Sequence, residues 1–600
     1  MSGKSVRALY AKYPENIVDQ RESVVIAQVW PLSFCDSNKD GIGDIRGVTQ
    51  KAGYIAGLAD VVWMSPFYPS PEGAAGDNGY ARTHDREVEP KLGTIKDLRK
   101  MVDKFHEFGK KVIFDYAPCH TSDQHPDFIK SAARVQPYDK HYVWHPGRVD
   151  ENGIKQPPNN WLNVYNNSAW CLHKERGEYY LNKFLDRVQP ALDNNRPDVQ
   201  EKNIETMKFW MREIRHDGWR LDAIPFLNHM SLEGMGNDVD TKSNHNWMYG
   251  TWPFIDQRWD NQWLDKMMCR PETGGIVKNM ATALADYAKE IGLEKPFILA
   301  EAIAGRKGGF DSLPVASEYK KGVDACYTDE TLFFEYPSAA RMRGTIDRIE
   351  QFLPGGKNCN PIGNHDFPRF ESRIKDVPAA ARRQLRELMY CLPGDVCFMA
   401  GAEELGLKQG NIPEGLRKDW GGRDPERTPP GWNSAAENAG FTKSKTPYLP
   451  VSSDDYAKAV NVQEGNPNSM LNYMRNLYRW RSAQPALRKG QTIVIENEGN
   501  VLAFLRISKE QTMLCTFNMS GKEVSFTPSD HMDRAILAKL GLRVGQSVQL
   551  DEWGSEMFGT KRFDKHLEMQ SKVRAPLADS SHRPQHRPIP VSAGYAANAG

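Results

Sequence analysis

Between Val24 and Leu405, short apolar and β-branched runs recur, each followed by a longer stretch with apolar residues at helical spacing. Alternation of this kind marks βα units around a parallel sheet. The runs read as strands are Val24–Trp30, Val61–Met64, Val112–Tyr116, Trp219–Asp222, Ile298–Glu301, a weaker one near Asp324–Thr328, Pro361–Asn364 and Val396–Ala400. Segments such as Thr94–Phe108 and Asp198–His216 supply the helices between them. Eight repeats predict a closed (β/α)8 TIM barrel in the α/β class rather than an open sheet.

Two intervals depart from that rhythm. His120 to Tyr179 carries Pro, Asn, Trp and Gly with no sustained period, and predicts a lid subdomain (120–179) inserted after the third strand. The barrel then comprises 1–119 and 180–485. Beyond Ala486 the pattern changes to alternating strands, Thr492–Ile495, Val501–Ile507, Thr512–Asn518 and Glu523–Phe526, which predict a C-terminal antiparallel β-sandwich over 486–570. From Ser571 the chain is rich in Pro, His, Ser and Ala without apolar periodicity, and a disordered tail (571–600) is expected.

Composition narrows the possible functions. A chain of 600 residues is long enough for several units with a large core. Its 78 Lys and Arg against 77 Asp and Glu leave no field that would draw nucleic acid or an anionic membrane. Residues 1–20 lack the apolar stretch of a signal peptide, and no window reaches a membrane span. Nine scattered cysteines, with no Cys-x-x-Cys pair, argue for reduced thiols and a cytoplasmic location.

The chemistry lies where strands end. Asp115, Asp222, Glu301 and Asp366 each close a strand-like run, and a barrel gathers the carboxyl ends of its strands on one face. One such acid beside an arginine is more often a buried ion pair than a nucleophile. Several in one pocket repel, which allows one to stay protonated while another stays ionised. Glycosyl transfer with retention requires that pairing across a gap of about 5 Å.

The segments around these acids are Phe114-Asp115-Tyr116-Ala117-Pro118-Cys119-His120, Gly218-Trp219-Arg220-Leu221-Asp222, Ala300-Glu301 and Gly363-Asn364-His365-Asp366. In order and spacing they resemble the four short motifs of the alpha-amylase superfamily, glycoside hydrolase family thirteen. Asp77-Asn78-Gly79-Tyr80, Thr121-Ser122-Asp123-Gln124-His125-Pro126, Pro157-Pro158-Asn159-Asn160-Trp161 and Arg427-Thr428-Pro429 resemble most the alpha-glucosidase and oligo-1,6-glucosidase group. The resemblance implies that Asp222 is the nucleophile, Glu301 the acid and base, and Asp366 the third acid, which favours the distorted transition state. It implies that Arg220 aligns the nucleophile and that His120 and His365 bind sugar hydroxyls. Asp77 and Arg427 would close the far end of the subsite, and Tyr80 would supply a stacking platform.

Just after the first strand stands Asp36-Ser37-Asn38-Lys39-Asp40-Gly41-Ile42-Gly43-Asp44. Oxygen donors at alternate positions, from Asp36, Asn38, Asp40, the Ile42 carbonyl and Asp44, match the first half of a calcium loop. Gly47 stands where a full EF-hand has its bidentate Glu. The expectation is one structural Ca2+ or Mg2+ and no organic cofactor.

The chain departs from the family pattern in several places. Cys119 replaces an Asn before the motif His, Ala81-Arg82-Thr83-His84-Asp85 follows Tyr80 where the family has Asp, Ile and later another acid and Tyr, and Ala191 replaces an acid in Gln189-Pro190-Ala191-Leu192-Asp193. Ala223, directly after Asp222, is small, which in this group accompanies alpha-1,4 preference. The reading is a retaining, exo-acting alpha-glucosidase whose partner is a small saccharide or glucoside. A transglucosylase or isomerase of the trehalose synthase or sucrose isomerase type would use the same intermediate, and a catalytically silent binding barrel is the remaining reading.

Overall fold

A computed structural model of the chain describes residues 7–559 except 165–166, 186, 234, 238–265, 304–311, 333–337 and 420, with only the backbone of 74–76. The expected tail lies outside the described residues. Eight parallel strands close into a barrel in chain order: β1 (Val25–Val29), β2 (Val61–Met64), β3 (Lys111–Tyr116), β4 (Gly218–Leu221), β5 (Phe297–Glu301), β6 (Ala325–Tyr327), β7 (Asn358–Pro361) and β8 (Asp395–Met399). Closure comes from β8 pairing onto β1, with Val396 opposite Val25 and Met399 opposite Gln28.

Strand alternation explains why these runs are apolar throughout. Ile26, Trp63, Ile113, Leu299 and Tyr327 fill the barrel interior, while neighbours such as Val25, Val62, Val112 and Ile298 turn outward into the core shared with the helices. The helix expected at 94–108 forms at Ile95–Glu107, where Thr94 and Asp97 make a reciprocal capping box. The one expected at 198–216 forms at Pro197–Ile214, with Pro197 at its first position.

The weak sixth strand is present, whereas the seventh lies three residues earlier than expected. β7 ends at Pro361, and after a last bond from the Ile362 N–H to the Cys397 carbonyl at 2.8 Å the chain leaves the sheet as a loop that carries His365 and Asp366 to the barrel mouth.

The insertion holds a helix, Pro126–Ala132, a three-stranded sheet and a two-stranded hairpin. Its sheet continues to Leu181, and bridges join His120 to Ala191 and Tyr142 to Leu192, so its structure extends past the expected boundary at 179. The C-terminal unit is a five-stranded sheet in which Gln491–Ile495, Val501–Ile507, Thr512–Asn518 and Ser555–Phe558 are joined by Arg7–Ala8 from the N-terminus. Val524–Phe526 pairs separately with Val548–Leu550, and a helix unforeseen in the sequence, Arg534–Leu540, packs beside them.

Candidate active site

A concave cavity opens at the carboxyl ends of the strands, the usual place for a small-molecule site in a barrel. Asp222, Glu301, Asp366, Asp77, Tyr80, His120 and His365 all line it.

Beneath its floor lies Arg220, whose side chain is 1% exposed. Two residues before Asp222 on β4, it shares that residue's side of the strand. One of its terminal nitrogens pairs with Asp222 Oδ1 and also donates to Asp115 Oδ1 at 2.9 Å. The other lies 2.9 Å from Glu301 Oε2. Asp115 is 0% exposed, against 13% for each of Asp222 and Glu301, so Asp115 braces the arginine while the other two face the cavity. Trp63 Nε1 and the Tyr80 hydroxyl donate to Asp115 at 3.1 and 2.9 Å and complete that brace.

The chain turns sharply past Asp222. Ala223 has φ 49° and ψ 42°, a left-handed conformation that an alanine adopts at a cost of about 1 kcal/mol. The turn aims the Ala223 N–H at Glu301 Oε2, 2.7 Å away. Cys119 supports the same turn, since its thiol donates to the Ala223 carbonyl at 3.2 Å. The thiol thus contributes a single donor where the family Asn would offer a donor and an acceptor.

Asp366 is set by an Asx turn, with the Asn364 side-chain oxygen accepting from the N–H groups of Asp366 and Phe367 at 3.0 and 2.9 Å. His365 beside it is locked, bonded to Gln28 at 2.6 Å and to the Tyr80 hydroxyl at 2.9 Å. Its ring stacks on Trp30 at 5.1 Å and on Tyr80 at 5.7 Å. His120 differs, because it is buried yet neither ring nitrogen makes a well-formed hydrogen bond. Burial lowers its pKa to about 3, so the neutral ring can offer one donor and one acceptor to a hydroxyl in the cavity.

One sequence expectation is corrected at the closed end. Asp77 pairs with Arg423, at 2.6 Å, and not with Arg427. Arg423 also reaches Asp366 at 2.9 Å and Asp419 at 2.7 Å. Arg427 stands one layer behind, donating to the His365 carbonyl at 2.8 Å and to Asp419 at 3.2 Å, 3.5 Å from Asp366, with its guanidinium over the Trp30 ring. Gln189 donates to the second oxygen of Asp77 at 3.0 Å. Arg423 and Asp419 were missed as site residues because the quoted motif Arg427-Thr428-Pro429 contains neither of them.

Electrostatics divide the acids. Burial raises Asp222 well above the usual carboxylate range, aided by repulsion from Glu301, and burial raises Glu301 as well. Burial would raise Asp366 too, but the field of His365, Arg423 and Arg427 brings it down to about 2. Since burial keeps His365 neutral, the guanidiniums are the lasting source of that field.

The loop 36–44 lies away from this cavity. Asp36 accepts from the N–H groups of Asn38, Lys39 and Gly41, Asp40 from that of Ile42, and Asp44 from those of Ser37 and Gly47. Gly41, at φ 99°, cannot be replaced, since a Cβ there would sit 2.2 Å from the Thr446 carbonyl. Among the described residues, no three His, Cys, Asp or Glu side chains converge as a ready metal cluster. The donors are nonetheless all hard oxygens, and an oxygen that accepts one N–H keeps a second lone pair, so in kind they fit a hard cation.

A closed parallel barrel whose strand ends present an arginine gripping two buried acids defines a glycosidase of the barrel type. The chain matches the family described as alpha amylase, catalytic domain, over residues 28–490, and it belongs to that family of glycoside hydrolases. It is 35% identical to a probable alpha-glucosidase of Rhizobium meliloti (strain 1021), over 84% of this chain and 90% of the relative. It is 30% identical to an oligo-1,6-glucosidase of Parageobacillus thermoglucosidasius, over 85% of this chain and 92% of that one. The crystal structure of an alpha-glucosyl transfer enzyme superposes with a TM-score of 0.77 at 31% identity, covering 91% of this chain and 100% of the other.

Proposed function

We propose that the chain is a retaining, exo-acting alpha-glucosidase that releases glucose from the non-reducing end of short alpha-glucosides. The observation that carries the reading is the single guanidinium of Arg220 on both Asp222 and Glu301, in a pocket closed at its other end by Asp77 and Arg423. Two carboxylates held by one fork suit the separation of roughly 5–5.5 Å that double displacement uses. Asp222 attacks the anomeric carbon as Glu301 protonates the departing oxygen. Glu301 then takes a proton from water as the covalent glucosyl–Asp222 ester is cleaved. Asp366, held ionised, supports positive charge at the ring as it develops.

The test follows the anomer first released from maltose and isomaltose by NMR, with Asp222→Ala and Glu301→Gln in parallel. The expected results are an alpha product, a faster rate on maltose because Ala223 is small, and losses of about 10³-fold or more in both variants. A beta product, or a variant with full activity, would overturn the reading.

Interception of the same intermediate by a sugar hydroxyl is the second reading, favoured by the likeness to an alpha-glucosyl transfer enzyme. We also propose that loop 36–44 holds one structural Ca2+ or Mg2+ through Asp36, Asn38, Asp40, the Ile42 carbonyl and Asp44, tested by the melting temperature with and without chelator. The nine cysteines are free thiols, eight of them buried, which supports a reducing, cytoplasmic setting. No helix among the described residues is long and apolar enough to cross a membrane.

A further inference from the structure

One oxygen of Glu301 is fixed from two sides. Its Oε2 accepts from the Ala223 N–H at 2.7 Å and lies 2.9 Å from a terminal nitrogen of Arg220, so the proton that Glu301 hands to a leaving oxygen belongs on Oε1. Arg220 is anchored by the pairing of β4 with its neighbours and by Asp115. Ala223 lies past the end of that strand, and its N–H points where the turn 223–228 puts it.

Lys183 holds that turn, two residues past the last strand of the insertion, Glu178–Leu181. Its ammonium donates to the carbonyls of Phe226 and Asn228 at 2.8 and 2.9 Å. Both acceptors stand at the end of the short helical turn Ile224–Phe226, where carbonyls lack partners further along the chain. Lys183 is 2% exposed. Among the described residues no carboxylate lies within ion-pair distance of it, and these two carbonyls are its only side-chain hydrogen bonds. Burial lowers its pKa to about 8, partly offset by Cys119 and Asp193. Burying an ammonium without a counter-ion is costly, and what the fold receives in return is the fastening of this turn.

Asp222 does not depend on that fastening. Its N–H bonds the Tyr116 carbonyl at 2.8 Å alongside the sheet, and its carboxylate is paired with Arg220. Resting on the glucosidase reading, we propose that Lys183 is a positioning residue for acid catalysis, fixing the turn that aims the Ala223 N–H at Glu301 and so orienting the proton donor while the strand orients the nucleophile.

The test is kcat/KM of the full chain and of Lys183→Met on maltose and on alpha-glucosyl fluoride. With maltose, Asp222 bonds to the anomeric carbon as the bond to oxygen breaks, and Glu301 gives that oxygen its proton. With the fluoride the same bond to Asp222 forms, and fluoride leaves as a weakly basic anion that takes no proton, so this step does not draw on Glu301. Lys183→Met is expected to lower the maltose value about tenfold or more, a modest loss for a misplaced reacting group, and to keep the fluoride value within about twofold of the parent. Lys183→Gln, which keeps a donor, should show the same split at a smaller size, and it carries the test if the Met variant does not fold. Equal losses on both substrates, or no loss on maltose, in a folded variant overturn this inference and leave the glucosidase reading standing. A parent chain that turns over neither substrate overturns both.

Discussion

Arg423 shows how much one side chain decides. It joins Asp77, Asp366 and Asp419, three carboxylates from separate loops, through one planar fork. A lysine keeps the charge but cannot reach three partners in that plane. Arg423→Lys is therefore expected to lower kcat/KM for any alpha-glucoside by about 10²-fold, the loss being in KM and kcat together because Asp366 loses its anchor. Steady-state kinetics checks it, and an unchanged KM would show that the closed end does not bind the glucosyl group. That Asp222, Glu301, Asp366, both motif histidines and Arg220 would meet at one end of the barrel was legible because each motif lies on or beside one strand. The partner of Asp77 was not, since Arg423 lies 346 residues further along the chain and only the folded loop brings it there. The role of Arg82, within the run that departs from the family pattern, becomes intelligible only in three dimensions, where its guanidinium donates to the His120 carbonyl at 2.8 Å and to Asp85 at 2.8 Å.

At the scale of elements, the loop that follows β8 and carries Arg423 and Arg427 is held from behind. Arg369 donates to the carbonyls of Glu426, Thr428 and Lys408 at 3.0, 2.8 and 3.0 Å. Within the loop burial raises Glu426 to about 8, partly offset by Arg427. A carboxyl that holds its proton more tightly when folded than when unfolded stabilises the fold fully below about pH 4.5, and that contribution is lost as pH rises toward 8. Glu426→Gln, which cannot ionise, should flatten the fall in melting temperature between pH 5 and pH 8, read by calorimetry across that range (roughly the interval between the two pKa values). A slope equal to that of the parent chain would remove Glu426 as its source. Strand positions were readable from runs of β-branched residues, but the apolar pattern that continues into Ile362 did not reveal that β7 spans Asn358–Pro361.

Across the whole molecule, distant segments are tied together. Arg7–Ala8 adds to the C-terminal sheet beside Val494 and Ile495, and Phe504 and Phe517 of that sheet belong to the same core as the barrel helices. Loop 36–44 docks on the segment 441–448, with the Asp36 N–H on the Phe441 carbonyl at 3.0 Å and the Tyr448 N–H on the Gly41 carbonyl at 2.7 Å. A cation in that loop would fasten the exit of β1 to a segment about 400 residues further on. Chelation is expected to lower the melting temperature by several degrees, about 1–2 kcal/mol for a chain of this size, while leaving the pH dependence of hydrolysis unchanged. An identical melting curve in chelator would rule the cation out. The sequence by itself determined the barrel, the order of its acids and the family, because periodicity and short motifs are local and survive without contacts. Only tertiary structure decided which arginine meets Asp77, how Ala223 and Cys119 shape the turn beside Glu301, and which residue fastens that turn, because each of these depends on loops far apart in the chain meeting at one end of the barrel.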